Sequence, residues 1–183
     1  MTDFFDDGWQ VFAPEPATIN WANAARGAAD CAIADPENAH LLQCGGTWFV
    51  GLDALDNKGD GDVNGSGPFV GAARDFVHDN LGGWPALHRG QVSVTYPGYP
   101  RPRDGESDAG FRYRKNRDAA HVDGIIGLGT SKRRFVLEPH QFIIGVALNN
   151  TDENAAPLTV WKGSHHIIKR AFEGYANEDL SKT

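Results

Sequence analysis

The clearest pattern in the chain is the alternation in QVSVTYPG, residues 91–98. Val92, Val94 and Tyr96 interleave with Gln91, Ser93 and Thr95, the period of a half-buried strand. A different period governs PFVGAARDFVHDNL, where Phe69, Ala72, Ala73, Phe76 and Val77 recur at helical spacing and Gly82 and Gly83 supply a stop. Upstream, the Ala-rich TINWANAARGAADCAIA predicts a helix with Thr18 as its N-cap. QCGGTWFVGLDAL reads as a strand, and the Gly-, Asn- and Asp-rich DNKGDGDVNGSG as a loop.

After the strand at 91–98, PGYPRPRDGESDAG reads as a long loop, AAHVDG as a short strand, and HQFIIGVALNN and PLTVWKG as further strands. SHHIIKRAFEGYANEDL predicts a closing helix capped by Ser164. The second half is therefore expected to be mainly β, with helices flanking it in an α+β chain. At 183 residues and 40% hydrophobic, the chain is long enough for one domain with a substantial core. We read residues 1–89 as its helical and strand part and residues 90–183 as its β part.

Charge and cysteine content narrow the classes. A net charge of −7 argues against general affinity for nucleic acid, which needs a basic binding face. No apolar run is long enough to span a bilayer, and MTDFFDDGWQ lacks the basic start of a signal peptide, so the cytoplasm is the expected address. Cys31 and Cys44 are too few for a disulfide scaffold or a thiolate zinc site and are expected to be reduced and buried. The basic stretch FRYRKNR, with Arg112, Arg114, Lys115 and Arg117, and Arg101 and Arg103 upstream, reads either as a solvated face or as a rim that holds an anion.

Two stretches carry candidate metal chemistry. In AHVDG, His121 and Asp123 stand two positions apart, so in an extended strand they share one face and can reach one ion. In DGDVNG, Asp60, Asp62, Asn64 and Gly65 reproduce the first half of a calcium loop, but Gly71 stands where the closing bidentate Glu is needed. An ordinary Asp/Gly turn is the simpler reading.

The ordered combination QVSVTYPG, AHVDG, FIIGVALNNTDEN and PLTVWKGSHH resembles the phytanoyl-CoA dioxygenase family of Fe(II)- and 2-oxoglutarate-dependent oxygenases, including its ectoine-hydroxylase-like branch. The resemblance covers about residues 90–170 and implies a double-stranded β-helix, the jelly-roll or cupin-like core. It also implies hydroxylation of a small molecule, with 2-oxoglutarate decarboxylated to succinate. His121 and Asp123 would be iron ligands, and Gln91 and Thr95 would contact 2-oxoglutarate, Thr95 standing where the family pattern has an amide. Without the resemblance, Gln91 and Thr95 read as a polar strand face open to water.

The family's distal His and the basic partner of 2-oxoglutarate are expected beyond Thr183, so the last strands and the third ligand would be missing and the chain alone would turn over little or nothing. His140, His165 and His166 are the substitutes within the chain. A non-catalytic cupin-like binding protein is the rival reading.

Overall fold

The structure is a computed structural model that describes residues 3–117, 121–138, 140–152, 154–155, 157–173 and 180. Among these residues, in an α+β arrangement, helix outweighs strand, 34% to 14%, so the mainly-β expectation does not hold. Two compact units make it up: residues 12–118 with 146–157, and residues 1–11 with 119–145 and 158–183.

The larger unit is built on a three-stranded antiparallel sheet of β1 (Leu42–Gln43), β2 (Trp48–Leu55) and β3 (Gly90–Thr95), in that order. Residues 42–55 form a hairpin, where one strand was expected over 43–55. Cys44, Gly45 and Gly46 all take left-handed backbone, which closes the turn and pairs Leu42 with Phe49. Phe49 and Val50 of β2 then pair with Val94 and Ser93, and an irregularity between Gly51 and Leu55 contains Asp53 at φ 53°. The alternation predicted for β3 is present: Val92 is buried while Gln91 and Ser93 are exposed.

Helix α2 (Pro16–Ala34) covers the buried face of this sheet. Ala25 and Ala29, one turn apart and both buried, let the helix approach Phe49, Leu55 and Val92 closely. It begins at Pro16, two residues before the predicted cap. Proline suits the first helical position because its missing N–H needs no partner there. Thr18 instead donates its hydroxyl to Glu15 Oε1 at 3.2 Å, and the same oxygen accepts the Ala72 amide at 2.7 Å. Ala72 opens α3 (Ala72–Asn80), the helix expected from its apolar spacing.

The loop between β2 and α3 is packed. Val63 is fully buried, Trp21 Nε1 donates to Gly61 O at 2.7 Å, and Phe69 lies edge-on to Trp21 and stacked on Trp84. Helix α4 (Asp108–Asn116) replaces part of the expected long loop, with Ser107 Oγ accepting the Gly110 amide as its cap.

The smaller unit holds α1 (Phe4–Asp7), a hairpin of β4 (Ile125–Leu128) and β5 (Arg133–Val136), and α5 (Ser164–Phe172). Lys162 Nζ lies 2.8 Å from the buried Asp7 carboxylate, and the Gly163 amide donates to Asp7 O at 2.9 Å. The predicted cap of α5 shifts by one residue: Gly163, left-handed at φ 71°, is the N-cap, and Ser164 is already helical. The predicted extension of this helix across 174–179 lies outside the described residues. Among the described residues, 140–163 contains no strand. Phe142, Ile144, Val146 and Leu148 are half-buried between exposed neighbours, so the apolar alternation survives where no sheet ladder forms.

Candidate metal centre

His121 and Asp123 do not lie on a strand. They sit in the approach to β4, where Gly124 at φ 82° turns the chain; residues 119 and 120 of the expected strand lie outside the described residues. A β-carbon at 124 would overlap the carbonyl oxygen of Glu138, so only glycine fits. The Gly124 carbonyl accepts the Leu137 and Glu138 amides at 3.0 and 3.3 Å, which fixes the hairpin's open end directly behind Asp123.

The two donors face each other, with His121 Nε2 3.4 Å from Asp123 Oδ1 and the side chains 75% and 47% exposed. Ligands about 2.1 Å from one ion at right angles are about 3 Å apart, so the pair fits two adjacent positions of a metal. A facial triad needs a third donor. Among the described residues, no three His, Cys, Asp or Glu side chains are grouped to hold one ion, so these residues fit two of the three places and no more.

Among the described residues the substitute histidines do not complete a three-donor group. His140 Nε2 lies 3.7 Å from Glu138 Oε2 across the end of the same hairpin. His165 Nε2 donates to Phe5 O at 2.9 Å, and its ring lies 3.9 Å from that of His166.

No family model, curated protein or solved structure matches the chain. The geometry therefore carries the functional argument.

Gln91 and Thr95 share the outer face of β3, away from Phe49 and Val92, and belong to the larger unit. Thr95 pairs with Trp48, whose indole N–H donates to Ser93 Oγ at 3.2 Å on that face.

The basic stretch is partly structural. Arg114 grips Glu106 with two hydrogen bonds, Nε to Oε1 at 2.8 Å and Nη2 to Oε2 at 2.7 Å, and also donates to Arg101 O at 3.0 Å. Both side chains are largely buried, at 14% and 16% exposed. The Arg114 hydrogen bonds, helped by the Arg103 amide, hold the Glu106 carboxyl down to about 2, and Glu106 in turn raises Arg114. Arg114 thus cannot serve as an anion rim; Arg112, Lys115 and Arg117 stay exposed. Glu106 was legible only as part of a loop, although Ser107 with Asp108 is a helix-start signal that would have placed it beside the cluster.

The Asp-rich loop is filled from within. Lys58 Nζ sits 2.6 Å from Asp62 Oδ2, the Gly67 amide donates to Asp62 Oδ1 at 3.1 Å, and Asp60 Oδ1 accepts the Asp62 amide at 3.0 Å. The Lys58 hydrogen bond lowers the Asp62 pKa, as expected for a carboxylate already paired with a cation. Of the two cysteines, Cys44 is buried as expected and Cys31 is exposed; both are free thiols.

Proposed function

We propose that the chain carries the H-x-D part of a non-haem Fe(II)- and 2-oxoglutarate-dependent oxygenase of the phytanoyl-CoA dioxygenase type. It would hydroxylate a small molecule in the cytoplasm, and its sheets would be parts of a double-stranded β-helix. The observation that supports this most directly is the His121–Asp123 pair, two exposed donors 3.4 Å apart ahead of a turn that only glycine can make. His121 would supply an imidazole nitrogen and Asp123 a carboxylate oxygen, a donor set suited to divalent iron. The roles of Gln91 and Thr95 toward 2-oxoglutarate rest on the sequence resemblance.

Anaerobic titration with Fe(II) and 2-oxoglutarate tests the reading, followed by the weak visible band of a chelated keto acid. Asp123→Ala is expected to weaken Fe(II) binding by about 100-fold with an unchanged circular dichroism spectrum. Unchanged Fe(II) affinity refutes the metal assignment. Asp123-dependent iron binding without a band fits two donors that lack the third, whereas a band that survives Asp123→Ala counts against the H-x-D assignment. Gln91→Ala is expected to weaken 2-oxoglutarate more than iron.

A further inference from the structure

A concavity lies wholly within the larger unit, on the core side of β3. Its walls are Ile33 at the end of α2, Pro36 and Ala39 of the 3-10 helix Pro36–Leu41, Leu42 of β1, Phe49 of β2 and Tyr96. They bound about 390 Å³, open on one side. An enclosed cavity of about 150 Å³ holds one benzene ring, so the space suits roughly two fused rings.

The lining is apolar because the polar groups at its edge are turned to nearby backbone. Asp35 Oδ1 accepts the Glu37 amide at 2.9 Å, and Asn38 Nδ2 donates to Ala32 O at 2.9 Å. These bonds hold the rim in shape without a ligand, which lowers the ordering cost of binding.

The geometry points to a binding site for a small, neutral, largely apolar molecule about the size of two fused rings, independent of the H-x-D pair. The Asp35 carboxylate at the edge and the net charge of −7 disfavour anions.

The probes are 2-naphthol and its anionic analogue 2-naphthoate, titrated into the full chain and followed by amide chemical shifts. Saturable shifts confined to the lining residues are expected, with a Kd on the order of 1 mM or tighter for 2-naphthol and about tenfold weaker binding for 2-naphthoate. Ala39→Trp, at an exposed wall position, should weaken 2-naphthol at least about tenfold with the urea midpoint unchanged, and Leu42→Ala about threefold. Non-saturating shifts scattered over exposed apolar residues such as Leu158 and Ile167 would overturn the site. So would affinity unchanged in both variants. Equal binding of 2-naphthoate would overturn the neutral ligand class.

Discussion

Gly124→Ala perturbs the turn that holds the metal pair. Two costs add. An L-residue in left-handed backbone costs about 1–2 kcal/mol, and position 124 lies at φ 82°. The new methyl group would also meet the Glu138 carbonyl, so the two hydrogen bonds from Leu137 and Glu138 to Gly124 O must lengthen or break, at about 0.5–1.5 kcal/mol each. The sum is about 2–5 kcal/mol, more than a two-stranded hairpin, marginal on its own, can absorb. Local opening is therefore expected, with the larger unit unaffected.

Native-state hydrogen exchange at the Leu137 and Glu138 amides reads this directly. Protection should fall about 30-fold or more, since each 1.4 kcal/mol is about tenfold. Gly129→Ala is the control. Gly129 has φ 71° in the same hairpin, but no atom lies within 4 Å of an added β-carbon, so only the strain of about 1–2 kcal/mol applies. Equal loss of protection in the two variants would refute the role of the Glu138 contact. Undiminished protection in Gly124→Ala would refute the reasoning as a whole.

Glu106→Gln tests the Arg114 clamp through pH. The carboxyl is lowered from 4.5 to about 2 in the folded chain, so its contribution is present above pH 4.5 and is lost as the pH falls from there toward 2. The urea midpoint of the wild type should drop across that window, and Glu106→Gln should flatten the drop; parallel curves would count against the clamp. Phe69→Ala removes a ring packed between Trp21 and Trp84 at 4% exposure and should cost about 3–5 kcal/mol by urea unfolding monitored through tryptophan fluorescence. A loss below about 1 kcal/mol would mean that the loop collapses onto the space.

What was readable from sequence was local. The strand at 90–95 and the helix at 72–80 each carry their own period and stop signals. The turn at 44–46 was hidden inside an apolar run, although two consecutive glycines mark it. Helix α4 was hidden by the Pro- and Gly-rich residues before it. The apolar runs at 140–163 were misread for a different reason. A strand requires a bonded neighbour as well as an alternating pattern, and pattern alone cannot supply one. The same distinction applies to the candidate site. His121 and Asp123 are close because they are neighbours in sequence, although the strand expected to align them is a turn. A third donor would have to come from elsewhere in the chain, and no spacing rule locates it. The pairing of Arg114 with Glu106, eight residues apart, becomes readable only once the helix start at Ser107 and Asp108 is recognised.

The contrast between the two thiols has a practical side. Cys31 is exposed near the end of α2, and Cys44 is buried beneath the Arg114 side chain, with Nη1 3.7 Å from its sulfur. A maleimide dye or trifluoromethyl tag used under native conditions would therefore attach at one address, without any cysteine being engineered in or out. That address lies two residues before Ile33, the first wall of the apolar concavity. A fluorine reporter on Cys31 would watch that site fill in a single resonance, in the unaltered chain.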